Sequence, residues 1–475
     1  MKWLPPKCLS CCLPALLICM VAATDSLAEN LFQPLNKVYD VEDSRSGVRR
    51  QGEGRMDTNL LHKLFNPGAD EAEQVNQVPL QMLDGSRAML QLRTPSTETG
   101  GAGDMGGIQI VSGMVDGSDH NMATLVNQNG NISGRIWKDG TLYRVKGDRN
   151  GDYRLSEINI GHLPQGDDTI EVPAAQMSDA RMRARQQPVP RVDEPIDLML
   201  LITERAFAKL GKPEVAKREL AMLLAETNNI YKRSGITDGQ MFRLVGFQVI
   251  PYKGRKGLRD DLTFFATWEP VIRYRNKVGA DLVAIMTAPE RSNVCGVGFI
   301  GPEATNPVPL PELGISITDV ACAFSNLSFA HELGHNLGAR HDWFVDPSKG
   351  NNHGYVNQAK KWRTVMAYDK VCREKHKYSC PEVPLFSNPR LSHKGDAAGV
   401  EQGQAEAADN VAALRLSRTV VAAYRPRADG PSGPSVSSGT PAAKTPDKIG
   451  GIVIDKAGPA SAPGKKDGKE RKIKW

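Results

Sequence analysis

Hydrophobic and polar positions alternate in short runs from Ile108 to Glu171. Turn residues separate these runs, among them Asn129-Gly130 and Asp139-Gly140. Asn-Gly and Asp-Gly between alternating runs are strong signals for β-hairpins. The pattern therefore predicts an antiparallel β-module over this segment. Residues 29 to about 100 are more polar and specify secondary structure only weakly.

One turn in the β-module has an alternative interpretation. The run from Asp148 to Asp152 places oxygen-bearing side chains at alternate positions, as at the start of a calcium-binding loop. Tyr153 then stands where such a loop needs glycine, and Asn159 stands where it needs a bidentate acid. A plain hairpin turn is therefore the favoured interpretation.

After Ile196 the pattern changes to alternating strands and helices. Apolar strands are predicted at residues 196–202, 241–252 and 280–286, and helices are predicted from Pro213, over 260–277 and over about 410–424. This order predicts an α/β (α+β) domain in which helices pack on a twisted mixed sheet.

The first residues are typical of a signal peptide. Lys2 and Lys7 precede an apolar run from 13 to 23, and Ser26-Leu27-Ala28 offers small residues where a signal peptidase cuts. A membrane anchor is the alternative, but the run is shorter than the roughly 20 residues that span a bilayer. A lipoprotein site at Cys19 is the other alternative, although the preceding Ile18 is bulky for such a site.

Composition and cysteine placement agree with an exported globular protein. The 475 residues are 40% hydrophobic and 24% charged, and the formal charge of +6 gives no indication of a nucleic-acid partner. Four cysteines lie in the leader, and the other four are Cys295, Cys322, Cys372 and Cys380. An even number in an exported domain predicts two disulfides. Of the three possible pairings we favour Cys295 with Cys322 and Cys372 with Cys380, since each closes a local loop. A thiolate zinc site is the alternative, but neither pair has CxxC spacing.

The main chemical signal is a histidine cluster. His331 and His335 are one helical turn apart, so their imidazoles lie on one face of a helix and both can reach one Zn²⁺ ion. Glu332 lies between them, where a general base for a zinc-activated water is needed. Gly338 can take the positive φ that ends a helix, which allows His341 to return as a third ligand. A structural helix with unrelated histidines is the alternative, and the common register of these residues argues against it.

The segment resembles the metzincin clan of zinc endopeptidases. Residues 331–341 match its HExxHxxGxxH pattern, and Met366 in Thr364–Tyr368 matches its Met-turn. The aspartate directly after the third histidine, Asp342, resembles the pattern of the reprolysin branch of this clan. The stretch from Ile196 to Tyr424 is most similar to bacterial reprolysin-like enzymes of the peptidyl-Asp metallopeptidase type.

The resemblance implies a secreted zinc endopeptidase, extracellular or periplasmic, that is made as a precursor. The expected organisation is a signal peptide (1–28), a pro-region (29–190) that is β-rich from about 108, a catalytic domain (191–426) and a disordered tail (427–475). The Arg-rich segment 175–194 has no apolar periodicity and is the expected processing site. Expected partners are protein or peptide substrates, with no nucleic acid, no stable membrane insertion and a monomeric chain. The alternative is a catalytically silent secreted binding protein of the same fold, and the intact Glu332 argues against it.

Three details of the resemblance concern residues outside the motif. Several metzincins are kept latent by a pro-region cysteine, and no cysteine occurs between Ala28 and Cys295, so latency requires another ligand or steric cover. Tyr368 has the offset from the Met-turn at which astacins and serralysins carry a tyrosine that reaches the zinc or the tetrahedral intermediate; packing under the turn is the alternative. Arg363 is the candidate anchor for an acidic side chain after the scissile bond, and the alternative is a solvated surface charge.

Overall fold

A computed structural model describes residues 31–41, 47–68, 74–93, 107–160, 163–164, 166–171, 194–236, 239–303 and 310–428. The predicted signal peptide, the predicted processing site apart from Glu194, and the predicted tail beyond residue 428 lie outside the described residues. Within these ranges, no helix has the length and apolar character needed to cross a membrane.

The N-terminal part of the chain forms a nine-stranded antiparallel sheet with the spatial order β1-β2-β9-β8-β7-β6-β5-β4-β3. Its strands are β1 (Lys37–Asp40), β2 (Val48–Arg55), β3 (Val75–Gln81), β4 (Arg87–Arg93), β5 (Gln109–Val115), β6 (Ser118–Gln128), β7 (Asn131–Lys138), β8 (Thr141–Gly147) and β9 (Asp152–Ile158). A helix, α1 (Thr58–Phe65), follows β2.

The predicted hairpins are confirmed. Asn129-Gly130 joins β6 to β7 and Asp139-Gly140 joins β7 to β8, and all four residues have positive φ, as a two-residue hairpin turn requires. Strands begin at Lys37, earlier than the pattern indicated, because β1 to β4 carry polar and charged residues on their exposed face.

The turn that begins at Asp148, for which a calcium-binding loop was the alternative interpretation, is a hairpin turn between β8 and β9. Oδ1 of Asp148 accepts hydrogen bonds from the backbone N–H groups of Asn150 (2.8 Å) and Asp152 (3.2 Å). Gly151 has a φ of 87°, which favours glycine. The carboxylate of Asp148 thus closes the turn on its own backbone.

The second sheet has six strands in the order β10-β14-β15-β13-β11-β12. They are β10 (Thr169–Ile170), β11 (Ile196–Thr203), β12 (Phe242–Ile250), β13 (Leu282–Thr287), β14 (Gly296–Phe299) and β15 (Ile315–Asp319). Only the β14–β15 pair is antiparallel among these neighbours. Every residue of β11 is buried, which explains its continuous apolar run. The predicted mixed sheet is confirmed. Four short strands form two hairpins further on: β16 (Val356–Asn357), β17 (Trp362–Arg363), β18 (Asn388–His393) and β19 (Asp396–Ala398).

Helices pack on both faces of this sheet. The helices of this part of the chain are α2 (Glu204–Leu210), α3 (Pro213–Arg233), α4 (Leu258–Thr267), α5 (Glu269–Val278), α6 (Val320–Ala323), α7 (Ser328–Asn336), α8 (Lys370–His376) and α9 (Asn410–Val421). The single helix predicted over 260–277 is wrong, because the chain is extended at Trp268 (ψ 111°) between α4 and α5. Pro270 explains the break, since its ring would clash with the carbonyl of the preceding turn in a continuous helix.

The N-terminal sheet and the second domain share one hydrophobic core. Residues of β5 to β9 pack in the same cluster as residues of β11, α3 and α7. A buried ion pair crosses this contact: Nε of Arg135 lies 2.9 Å from Oε2 of Glu226 on α3. The same guanidinium donates hydrogen bonds to the carbonyl oxygens of Ala323 and Asn326, just before α7. The N-terminal sheet is therefore fixed directly behind the helix that carries the histidines.

Both predicted disulfides are present, Cys295–Cys322 and Cys372–Cys380. The first ties the start of β14 to α6, which precedes the histidine helix. The second closes the end of α8 after the Met-turn segment. The two bridges therefore lie on either side of the predicted site.

Candidate active site

Helix α7 places two histidines on one face. All nine of its residues are buried, so the helix lies within the core. Nδ1 of His331 lies 2.8 Å from the carbonyl oxygen of Val365, and Nδ1 of His335 lies 2.8 Å from that of Ala339. Each carbonyl fixes the orientation of one ring, so the two Nε2 atoms point toward the same position. Backbone carbonyls orient histidine ligands in this way in many metal sites.

Gly338 ends the helix and turns the chain back. Its φ is 78°, and a Cβ atom there would lie 2.1 Å from the carbonyl oxygen of Pro302. Only glycine fits this position without movement of the backbone. The turn brings His341 to α7, where its Nε2 lies 3.3 Å from Nε2 of His331. The structure thus brings the three predicted histidines together.

Glu332 lies beside the three rings in a site closed to solvent. It is 1% exposed, and neither of its carboxylate oxygens has a hydrogen-bond partner in the described part of the chain. Gly296 on β14 makes room for it, because a Cβ atom at Gly296 would lie 2.3 Å from Oε1 of Glu332. Burial, together with the nearby carboxylate of Asp168, raises the pKa of Glu332 well above its usual value.

Asp168 is the fourth side chain of the group that could hold a metal ion, beside the three histidines, and no motif in the sequence indicates it. It precedes β10 and is 3% exposed. Its Oδ1 lies 2.7 Å from Nε2 of His341 and 3.4 Å from Nε2 of His335, and its Oδ2 lies 3.4 Å from Nε2 of His331. Burial would raise the pKa of Asp168, but the His341 and His331 imidazoles outweigh it and hold the pKa well below its usual value.

The donor set fits a zinc ion. Two ligand atoms of a tetrahedral site with zinc–nitrogen bonds of about 2.0 to 2.1 Å are about 3.3 to 3.4 Å apart, and the His331 and His341 Nε2 atoms are 3.3 Å apart. Nε2 of His335 makes no hydrogen bond to a described residue. Oδ1 of Asp168 makes none either, because its 2.7 Å approach to Nε2 of His341 lacks hydrogen-bond geometry. Such atoms need a partner, and a shared cation satisfies both. One ligand atom from each of the four side chains lies within 4.8 Å of the others.

The Met-turn lies under the histidine helix. A Cβ atom at Gly334 would lie 2.8 Å from Sδ of Met366, so the glycine allows the methionine to pack directly against α7. Asp342 connects this turn to the third histidine, because its Oδ2 accepts a hydrogen bond from the backbone N–H of Tyr368 at 2.9 Å.

Tyr368 reaches the site with its ring and its hydroxyl group. The ring stacks on His341 with centroids 4.6 Å apart. The hydroxyl donates to Oδ2 of Asp168 and lies 2.9 Å from the carbonyl oxygen of Gly166. Burial, and then the Asp168 charge, raise the pKa of Tyr368 well above its usual value, so the phenol is a proton donor. Its position is compatible with the predicted role.

Arg363 is buried behind the Met-turn. Its Nη1 donates hydrogen bonds to the carbonyl oxygen of Ala367 (2.8 Å) and to Oε1 of Glu382 (2.9 Å). Its Nε is buried without a partner in the described residues. Arg363 and Arg373 line a cavity of about 430 Å³ that β2, β8 and β9 of the N-terminal sheet cover from the other side. The predicted anchor therefore lies next to a half-open cavity, and its charge is already paired with Glu382.

Comparisons with known proteins agree with this geometry. The family described as metallo-peptidase family M12B, reprolysin-like, matches residues 217–342, which include the histidine cluster. Over this segment the chain is similar to the reprolysin-like metallopeptidases. The predicted enzyme class, a zinc metalloendopeptidase, is thereby confirmed.

The relatives are bacterial. The chain is 29% identical over 321 residues to a peptidyl-Asp metalloendopeptidase of Stenotrophomonas maltophilia (strain R551-3), covering 64% of this chain and 71% of that protein. It is 41% identical over 80 residues to a peptidyl-Asp metalloendopeptidase of Pseudomonas fragi, covering 16% of this chain and 51% of that protein. Among solved structures, metalloproteinase-II from Bacteroides fragilis aligns with a TM-score of 0.37 and 12% identity, covering 69% of this chain and 90% of that one.

Proposed function

We propose that the protein is a secreted, zinc-dependent endopeptidase in which Glu332 is the general base. The observation that supports this most is the convergence of three Nε2 atoms beside a buried carboxylate that has no other partner in the described residues. His331, His335 and His341 would hold the zinc ion. When bound, zinc supplies Lewis-acid chemistry, which polarises a peptide carbonyl and makes water a stronger acid.

Glu332 and Tyr368 have different roles in the proposed proton transfers. Glu332 takes a proton from the attacking water and then gives it to the leaving amine, and its buried carboxylate, which has no hydrogen-bond partner in the described residues, is free for both transfers. Tyr368 donates its hydroxyl hydrogen to the oxygen that becomes negatively charged. In the uncleaved chain this hydroxyl is engaged by Asp168, so the donation requires that Asp168 leave the site.

Residues 29–190 form the pro-region in this proposal, and cleavage between about 175 and 194 produces the mature enzyme. The N-terminal sheet packs behind α7. The chain that leaves this sheet forms β10, which pairs with β14 next to the histidines. A segment in this position blocks access to the site. N-terminal sequencing of the active protein from culture medium tests the boundary, and an active species that begins near Glu29 contradicts it.

Acidic residues after the scissile bond are the proposed preference. The relatives are named peptidyl-Asp metalloendopeptidases, and Arg363 places a buried guanidinium beside a cavity near the Met-turn. A charge in a partly desolvated pocket favours a carboxylate by charge-assisted hydrogen bonding.

Metal content and proteolysis together test the function. The purified chain, cut in the 175–194 segment, should contain one zinc ion and hydrolyse casein, and a chelator should abolish the hydrolysis. His341→Ala should lose both zinc and activity, since two imidazoles make a poor zinc site. His376→Ala, which changes an exposed histidine, is the matched control. A His341→Ala variant that keeps tight, stoichiometric zinc contradicts the third-ligand role.

A further inference from the structure

The segment that carries Asp168 is held at three successive points. Asp167 pairs with Arg259 at 2.7 Å on one side of the site. Asp168 enters the group of three imidazoles. Glu171 pairs with Arg340 at 2.6 Å on the other side, and Arg340 immediately precedes His341. The position of the central carboxylate is therefore set by charged contacts before and after it.

Backbone hydrogen bonds hold the same segment along the edge of the second sheet. The N–H group of Gly298 donates to the carbonyl oxygen of Asp168 at 3.0 Å, and that of Ile300 donates to the carbonyl oxygen of Ile170 at 3.2 Å. The β10 strand therefore covers the β14 edge, and a second peptide cannot pair there. The group that lies beside the three histidines is the side-chain carboxylate of Asp168 and not a peptide carbonyl. The segment therefore places no peptide bond where hydrolysis would occur.

We propose that Asp168 is the fourth metal ligand of the uncleaved chain and keeps the enzyme latent. This inference rests on the proposed function. Its carboxylate occupies the position at which water and substrate must bind, and it also engages the hydroxyl of Tyr368. It thus performs the blocking role for which no pro-region cysteine is present. The pro-region acts through one carboxylate as well as through steric cover.

The covalent connection explains how a single carboxylate blocks the site and how it is released. In the uncleaved chain Asp168 is joined to the catalytic domain by residues 172–193, so its local concentration near the site is on the order of millimolar or higher. Cleavage in this segment makes the contact intermolecular. The carboxylate then leaves with the N-terminal sheet as that sheet dissociates.

Ligand exchange on the metal tests the proposal without relying on activity. The full-length chain carrying Glu332→Gln, which prevents self-cleavage, is loaded with Co²⁺ and titrated with acetohydroxamate while the visible spectrum is recorded. Asp168→Ala and Asp168→Asn, each added to this chain, should bind the hydroxamate at least about tenfold more tightly than the parent. Asp152→Asn, which removes an exposed carboxylate of β9 and its pair with Arg55, should bind it as the parent does.

The outcomes separate this proposal from the proposed function. Equal hydroxamate affinity in the parent and both Asp168 variants, with stoichiometric cobalt in all, overturns the Asp168 ligand and leaves the peptidase intact. A parent that holds no cobalt overturns both. Circular dichroism of each variant establishes that the fold is retained. Two different replacements are used because an asparagine oxygen is itself a weak ligand and alanine offers none.

Discussion

Oδ2 of Asp342 accepts a hydrogen bond from the backbone N–H of Tyr368 at 2.9 Å, so one carboxylate joins the third histidine to the Met-turn. Its Oδ1 accepts a second bond from the N–H of Phe344 at 3.1 Å. Both oxygens are thus used to fix backbone. Burial raises the pKa of Asp342, although these bonds act in the opposite direction.

Asp342→Ala should therefore loosen the metal site. The N–H groups of Tyr368 and Phe344 lose their acceptor, and the loss at the buried Tyr368 N–H costs about 1 to 3 kcal/mol. We expect a lower melting temperature and faster loss of zinc to a chelator, with kcat reduced less than zinc retention. Asp342→Asn keeps one acceptor oxygen and is the matched control. If the rate of zinc dissociation is unchanged in the alanine variant, Asp342 does not stabilise the site by joining His341 to the Met-turn.

Tyr368→Phe keeps the ring on His341 and removes only the hydroxyl. If that hydroxyl donates to the developing oxyanion, kcat should fall by about 10- to 1000-fold while zinc content stays unchanged. Steady-state kinetics on the processed enzyme measures this. Tyr378→Phe, whose hydroxyl bonds to the carbonyl oxygen of Gln358, is the control. A kcat within a factor of two of the parent would show that Tyr368 only packs against the ring.

The contact between His393 and His120 should make the uncleaved chain sensitive to acid. Their ring centroids are 4.2 Å apart, with His120 on β6 of the N-terminal sheet and His393 on β18 of the second domain. Burial, and then the charges of His120 and Lys394, lower the pKa of His393 to about 4, while Asp139 acts in the opposite direction.

The sign of the effect follows from proton binding. The unfolded chain binds the His393 proton near pH 6.5 and the folded chain binds it near pH 4, so stability falls as the pH drops through this window. The expected loss between pH 7 and pH 4 is on the order of 2 kcal/mol. Urea unfolding at several pH values should show a smaller loss for His393→Phe than for the parent. His376→Phe should behave like the parent, and an equal loss in all three chains would contradict the assignment.

Arg363→Gln should reduce the preference for acidic residues after the cut. Peptide-library profiling of the processed enzyme gives the ratio of acidic to large hydrophobic residues at that position, and we expect this ratio to fall about tenfold or more. Arg373→Gln is the matched control, because Arg373 lines the same cavity and pairs with Asp369. Loss of the preference in the Arg373 variant alone would assign the anchor to that residue, and hydrophobic residues dominating in the parent would reject the preference itself.

The parts of the site that the sequence predicted are those encoded by local spacing. His331, Glu332 and His335 share one helix face because of the helical period, and Gly338 brings His341 back within a few residues. Both disulfides close local loops in the same way. These relationships depend on distances along the chain that are short enough to be visible as a motif.

The parts that the sequence did not predict depend on tertiary packing. Asp168 reaches the histidines only because the N-terminal sheet docks behind α7 and directs β10 along β14. The neighbouring Asp167 has the same side chain and instead pairs with Arg259 at the surface. The buried pair of Arg135 and Glu226 also has no signature, since its members belong to elements far apart in sequence. Residue type alone therefore does not distinguish a ligand from a surface charge here.

Replacement of Glu332, the proposed general base, is the sharpest test of the peptidase mechanism. Glu332→Gln and the parent are cut identically by trypsin in the Arg-rich 175–194 segment, and zinc content and casein hydrolysis are then measured on both, with Glu374→Gln, at an exposed position, as the control. We predict that Glu332→Gln holds one zinc ion and keeps its fold while kcat falls by about a thousandfold or more, because the three imidazoles remain and the proton acceptor does not. A zinc-loaded Glu332→Gln enzyme with kcat within tenfold of the parent would contradict the account.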